Sequence, residues 1–149
     1  MELGDEITID APKAQVFEAL QDPDILRQAI PGCEELIKHS DTEFEAKILL
    51  KVGPVKARFG GTGTLDISGG PDTFSLSGQG NGGPAGAAKG GADVVLEEED
   101  GKTVLKYTAK AEITGKIAQL GSRLIQSTAK KLASKFFTKF AEVMPKVEV

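Results

Sequence analysis

The sequence predicts an α+β fold: a curved antiparallel sheet of about six or seven strands wrapped around a long C-terminal helix, with two short helices after the first strand. Three observations carry this reading. Residues 34–113 alternate apolar and polar side chains between glycine- and proline-rich turns, the period of half-buried strands. Asp10-Ala-Pro12 and Asp22-Pro23 are helix starts set between the first strand and that series. From Lys116 to Met144 the chain runs without proline and repeats apolar residues at helical spacing. Helices segregated to one face of an antiparallel sheet bury both apolar surfaces in one layered architecture.

The first strand, over Leu3–Asp10, places Ile7 and Ile9 on one face. The first short helix carries Val16, Phe17 and Leu20. The second carries Ile25, Leu26 and Ile30 and stops at Pro31-Gly32. Glu34–Lys38 pairs with the strand after the Ser40-Asp41 turn, where Phe44, Ala46, Ile48, Leu50 and Val52 share a face. Gly53-Pro54 reverses the chain. Val55, Ala57, Phe59, Gly61, Gly63 and Leu65 share a face of the next strand, and residues 69–72 turn it again. Phe74, Leu76, Gly78 and Gly80 continue the inner face. Gly86–Glu97 reads as a weak strand, and Asp100-Gly101 as a hairpin turn of the primed type. Leu105, Tyr107, Ala109, Ala111 and Ile113 form the inner face of the last strand.

The closing helix is expected as one unbroken element over residues 116–144. Leu120, Leu124, Thr128, Leu132, Phe136, Phe140 and Met144 recur every fourth position along it. At about 3.6 residues per turn this row drifts around the axis, which suits a helix lying diagonally across a twisted sheet.

The inward positions are uneven in size. Phe44, Ile48, Phe59, Leu65, Phe74, Leu76, Leu105 and Tyr107 are large. Ala46, Ala57, Gly61, Gly63, Gly78, Gly80, Ala109 and Ala111 are small and cluster mid-strand. Small residues in the middle of a curved sheet leave room beneath the helix, although glycine also serves simply to let a sheet bend. The helix fills that room with Phe136 and Phe140, or a ligand does. The candidate cavity residues are Ile48, Leu50, Phe59, Gly61, Phe74, Leu76, Gly78, Tyr107, Ala109, Leu132, Phe136 and Phe140. An apolar pocket with few polar groups takes a hydrophobic small molecule.

Ile9-Asp-Ala-Pro12, Val16-Phe17, Leu26 and Ala29-Ile-Pro-Gly-Cys-Glu-Glu-Leu36 together resemble the CoxG family, named for a subunit of carbon monoxide dehydrogenase. That family belongs to the START-like, Bet v 1-type (SRPBCC) superfamily with a helix-grip fold. Lys51-Val-Gly-Pro-Val-Lys56, the glycine-rich stretch from Gly78 to Gly91 and the strand-to-helix ending fit as well, so the resemblance spans nearly the whole chain. It implies an accessory protein, not a catalytic subunit. The implied partner is a molybdenum-containing carbon monoxide dehydrogenase or a related hydroxylase. The implied roles are membrane recruitment of that enzyme and handling of a hydrophobic molecule, a lipid or a quinone, with no cofactor. The superfamily leaves two other readings open: a ligand-free interaction module, and an enzyme of the cyclase or hydrolase kind using Tyr107 or a carboxylate.

Length and charge fit this reading. At 149 residues, 40% hydrophobic and 27% charged, the chain has the makings of one globular domain, 1–149. No run approaches the roughly 20 apolar residues of a membrane span. The acidic start, Met1-Glu-Leu-Gly-Asp-Glu, does not read as a signal peptide. A single cysteine, Cys33, forms no internal disulfide and fits the cytoplasm. The net charge is −4, yet residues 116–146 carry Lys116, Arg123, Lys130, Lys131, Lys135, Lys139 and Lys146 against Glu142 alone. These lysines are a solvated helix face, or they meet an acidic protein or the inner face of the cytoplasmic membrane. Lys130, Lys131, Lys135 and Lys139, with Pro31, Gly32 and Cys33, are the candidate partner or membrane contacts. An acidic body with only 5% aromatic residues argues against nucleic acid.

Several motifs fail on context. His39, the only histidine, sits beside a turn with no nucleophile placed near it. One histidine and one cysteine do not make a typical zinc site. Gly78-x-Gly80-x-x-Gly83 has the letters of a dinucleotide fingerprint but lies among antiparallel strands. Gly101-Lys102-Thr103 lacks the glycine a phosphate loop needs five residues earlier, where Leu96 stands. The stretch from Gly80 to Gly91 is either a hairpin whose backbone passes close to a neighbour or a mobile entrance flap.

Overall fold

The computed structural model describes residues 1–145. Strand β1 (Glu2–Ile9) leads into helices α1 (Lys13–Ala19) and α2 (Pro23–Ala29). Six further strands follow: β2 (Cys33–Lys38), β3 (Glu43–Val52), β4 (Val55–Asp66), β5 (Thr73–Asn81), β6 (Ala87–Glu99) and β7 (Lys102–Thr114). Helix α3 (Ser122–Val143) closes the fold. The seven strands form one sheet in the order β1-β7-β6-β5-β4-β3-β2, and every pairing is antiparallel. Strands β2 to β7 are therefore successive hairpins, and β1 joins the sheet beside β7.

Local chemistry sets the helix ends. The Asp22 carboxylate accepts from the backbone N–H groups of Asp24 (2.9 Å) and Ile25 (3.4 Å), and Pro23 opens α2. After α2, Gly32 has a φ of +76° and its carbonyl accepts from the Leu49 N–H at 2.9 Å. A Cβ there would run into the Leu49 carbonyl, so this turn requires glycine. At the other end of the sheet, Asp100 and Gly101 both have positive φ, as a primed hairpin turn demands.

The closing helix begins later than its sequence suggests. Residues Ala118–Leu120 form a separate 3-10 turn, and Gly121, at φ +95°, separates it from α3. The Ile117 N–H donates to the Ala85 carbonyl at 3.0 Å, which ties this segment to the β5–β6 connection. A local tertiary contact thus overrides helical periodicity at residues 116–121. The segment read as a weak strand is also different: β6 spans 13 residues, pairing with β7 along its whole length and with β5 from Ala87 to Val95. The stretch from Gly80 to Gly91 comprises the end of β5, a short 3-10 turn at Gly83–Ala85 and the start of β6. The Gly82 N–H donates to the Gly86 carbonyl at 2.8 Å and closes this tip as a hairpin. Lys146 of the basic segment lies outside the described residues.

Two apolar clusters result. The larger joins Ile9, Val16, Ala19, Ile25, Ala29, Phe74, Val94, Leu96, Leu105, Phe140 and Met144, from β1, α1, α2, the sheet and the C-terminal part of α3. The smaller joins Val52, Phe59, Ala85 and Ile117, with Leu50, Val55, Ala57, Ile113, Leu120 and Ile125 against it. It gathers hairpin tips and the approach to α3 at the opposite end of the sheet. The every-fourth row that starts at Leu120 in the 3-10 turn and continues along α3 to Met144 links them, with Leu120 in the small cluster and Phe140 and Met144 in the large one.

Candidate ligand cavity

Between the two clusters the inner face of the sheet does not meet the helix. The strand registers show why. Ala46, Gly61, Gly80 and Ala88 stand opposite one another on adjacent strands β3 to β6. In the next row Gly63, Gly78, Gly90 and Ala111 do the same across β4 to β7. These rows present backbone and methyl groups where a packed interior would carry large side chains. The space left has a volume of about 580 Å³, within the ordinary range for small-molecule sites.

The wall is apolar on every side. Strands β3 to β5 supply Phe44, Ile48, Leu50, Phe59, Leu65, Phe74 and Leu76; α2 and its C-terminal turn supply Leu26 and Ile30, and β2 supplies Leu36. Helix α3 contributes Ile125, Thr128, Ala129, Leu132, Phe136 and Phe137, the positions that share one helix face. The polar residues of the lining are uncharged: Thr128 lies on α3, while Thr62, Thr64, Ser77 and Gln79 alternate with the inward positions of β4 and β5. Among the described residues no ionisable side chain lines the cavity. Leu76 remains 41% exposed although it belongs to the inner face, so the cavity reaches solvent.

Of the residues the sequence nominated, Ile48, Leu50, Phe59, Gly61, Phe74, Leu76, Leu132 and Phe136 lie on this wall. Gly78, Tyr107, Ala109 and Phe140 lie off it. Gly78 sits in the sheet between Gly63 and Gly90. Ala109 faces Ala92 and Leu3, toward the β1 edge. Phe140 is completely buried in the large cluster. Tyr107 stacks on Phe137, with ring centroids 5.7 Å apart, and borders a separate groove of about 300 Å³ between β1 and α3. Phe137 lines both spaces and stands between them. Burial, with the nearby Asp5 charge, pushes the Tyr107 phenol above its ordinary pKa. Leu26, Ile30 and Leu36 were legible as apolar positions, but only the tertiary fold shows that they face this space.

The remaining nominated residues lie at the surface or in turns. Lys130, Lys131, Lys135 and Lys139 are all exposed on α3, and Lys139 lies 3.8 Å from Glu142. Lys130 borders the β1–α3 groove. Pro31 and Cys33 are half-buried and flank the exposed Gly32. Burial pushes the Cys33 thiol up, and the Arg27 charge opposes this. His39 lies 2.8 Å from a Glu45 carboxylate oxygen on the solvent side of β2 and β3. Among the described residues, no three His, Cys, Asp or Glu side chains are grouped to hold a metal ion, and no helix is long and apolar enough to cross a membrane.

Comparison with solved structures supports the fold. A conserved protein from Geobacillus kaustophilus superposes with a TM-score of 0.90 at 28% identity, over 97% of this chain and 95% of that one. A START superfamily protein from Mycobacterium smegmatis gives a TM-score of 0.70 at 8% identity, covering 96% of each chain. The Zhui aromatase/cyclase from Streptomyces sp. R1128 gives 0.64 at 13% identity, over 95% of this chain and 92% of that one. These low identities establish a START/Bet v 1-like fold and nothing about ligand or chemistry. A search of curated proteins finds no significant match. The family model for CoxG, a subunit of carbon monoxide dehydrogenase, matches residues 5–144, nearly the full length. The chain therefore belongs to the CoxG family of carbon monoxide dehydrogenase subunits.

Proposed function

We propose that this chain is a non-catalytic accessory protein of a molybdenum-type carbon monoxide dehydrogenase or a related hydroxylase. It holds a hydrophobic small molecule, a lipid or a quinone, between the sheet and α3, and helps bring the enzyme to the inner face of the cytoplasmic membrane. The observation that carries this reading is the cavity of about 580 Å³ with its apolar wall. Such a space filled with water would leave the apolar side chains hydrated, and an apolar occupant removes that cost. The family name supports the choice of partner.

The same wall favours binding over catalysis. General acid–base work needs a titratable group within reach of the reacting atoms. Among the described residues, no ionisable side chain lines the cavity. Tyr107, the residue a cyclase-like reading would use, lies off this wall and stacks on Phe137.

The test is organic extraction of the protein, purified from its native host without detergent, followed by mass spectrometry. The expected result is a lipid or quinone at about one molecule per chain. An extract holding only buffer components would overturn the carrier reading and leave an assembly module that acts through its surface.

A further inference from the structure

Lys51 and Lys56 stand directly opposite each other on β3 and β4, one residue pair back from the Gly53-Pro54 turn. Both are exposed, and neither forms an ion pair among the described residues. Like charges directly opposite on a sheet destabilise the pairing. The arrangement therefore works against the hairpin that carries it. Two more exposed cations without an ion pair, Lys116 and Arg123, come to the same end of the molecule. Val52 and Val55, beside the two lysines, pack in the cluster that also holds Ile117 and Leu120. A Cβ on Gly53 would lie 2.9 Å from the Leu124 side chain, so this hairpin tip abuts the start of α3.

The acidic residues nearest this end have cations of their own. Glu34 pairs with Arg58 at 2.9 Å, Glu35 with Lys47 at 3.5 Å and Glu2 with Lys110 at 3.6 Å. Glu112 stands opposite Lys89 in the β6–β7 register. Lys51, Lys56, Lys116 and Arg123 are left unbalanced. The opposite end has the reverse excess: Asp10, Asp41, Glu43, Asp66, Glu98 and Asp100 are exposed there without an ion-pair partner among the described residues. The molecule is electrically polar along its strands.

We infer that the hairpin end carrying Lys51, Lys56, Lys116 and Arg123 is the surface that docks on an anionic lipid bilayer, with the acidic end turned away. This rests on the proposed recruitment to a membrane and locates it on the hairpin end instead of the α3 lysines. The cations come from separate segments around an apolar centre, which matches a diffuse negative surface better than a point partner. The acidic end is repelled by the same surface, so the field fixes orientation as well as attraction. The small cluster that closes the cavity at this end would then face the bilayer, where an apolar cargo resides.

The test is co-sedimentation with phosphatidylcholine vesicles, with and without phosphatidylserine, at low ionic strength. Three proteins are compared: wild type, K51Q/K56Q/K116Q/R123Q and K130Q/K131Q/K135Q/K139Q, with circular dichroism to check folding. A cation near an anionic surface contributes roughly fivefold to partitioning, so losing four at the contact lowers binding several-hundred-fold. The expected result is that loss for the hairpin set, with a much smaller one for the helix set. A larger loss in the helix set would overturn the assignment while leaving membrane recruitment intact. Undiminished vesicle binding by the hairpin set, with loss of the partner enzyme in a pull-down, would overturn it in favour of an acidic protein. Wild-type protein indifferent to phosphatidylserine would remove both this inference and the recruitment it rests on. The extracted ligand would still judge the cavity independently.

Discussion

Gly63 lies directly opposite Gly78 across β4 and β5. Gly78 in turn lies opposite Gly90, so three adjacent strands meet on the inner face with no side chain at all. Larger residues frame this bare region: Phe44 opposite Gly63 on β3, and Phe59 and Phe74 further along their strands. The cavity follows from residue size more than from polarity. Replacing a few hydrogen atoms by side chains would convert it into an ordinary packed core.

Two of these glycines separate binding from stability. A Cβ on Gly63 would lie 3.7 Å from the Ser77 carbonyl oxygen, an ordinary contact, and the residue lines the cavity. A Cβ on Gly78 would lie 2.9 Å from the Thr62 carbonyl oxygen, so the backbone must shift. Gly63→Leu is expected to melt within a few degrees of wild type and to lose at least about tenfold in ligand affinity, because it occupies the ligand's space. Gly78→Leu, at a position off the wall, is expected to cost about 1–3 kcal/mol of stability. Thermal unfolding and extraction of ligand from each variant check both. Full occupancy in Gly63→Leu would place the ligand away from this row.

The strands were legible because a period of two survives translation into structure. Phe44, Ala46, Ile48 and Leu50 do share a face, and so do Phe59, Gly61, Gly63 and Leu65. The bare mid-sheet region was legible for the same reason. Periodicity says which side chains point inward, but not what they meet there. Phe136 and Phe140 are one helical turn apart on the same row, yet one lines the cavity and the other is completely buried in the core. Tyr107 points inward on β7, but Phe137 covers it. The start of α3 was hidden because Gly121 and the bond from Ile117 to Ala85 act through a conformation and a partner that helical spacing does not encode.

That difference between neighbouring phenylalanines is measurable. Phe140 makes the deeper contribution, packed among Val16, Ile25 and Met144, and Phe140→Ala is expected to cost about 3–5 kcal/mol. Phe136 stacks on Phe140 at 5.8 Å between centroids but opens onto the cavity. Its removal enlarges an existing space, so Phe136→Ala is expected to cost only about 1–3 kcal/mol. The same variant should admit bulkier ligands. Denaturant unfolding with a ligand series reads both effects. Equal destabilisation of the two variants would contradict the placement of the cavity edge.

Thr103 is the buried polar residue of the core, at 0% exposure. Its hydroxyl donates to the Ala11 carbonyl at 2.6 Å, fastening β7 to the turn between β1 and α1. Thr103→Val keeps the shape and removes the donor, leaving a carbonyl without that partner. The expected loss is about 1–3 kcal/mol. Faster amide exchange at residues 9–13 should accompany it, with ligand content unchanged. A neutral effect would mean that another donor replaces the hydroxyl.

Cys33 supplies a test that depends on pH. It sits where β2 begins, opposite Ile48 and at a register shift before Glu35. Burial raises its pKa, with the Arg27 charge pulling the other way. A raised pKa means that the folded protein holds the thiol proton more tightly than the unfolded chain. The associated stability is fully present below the unfolded thiol's value, near 8.5, and is lost as pH rises through the higher folded value. Only the thiolate attacks an alkylating reagent. Iodoacetamide at about pH 8 should therefore modify native protein more slowly than denatured protein, with the gap narrowing as pH rises. Cys33→Ser should flatten the alkaline side of the stability profile and leave the neutral side in place. A native thiol that reacts as fast as the denatured one would contradict the half-buried, apolar setting and point instead to an open, reactive group at the start of β2.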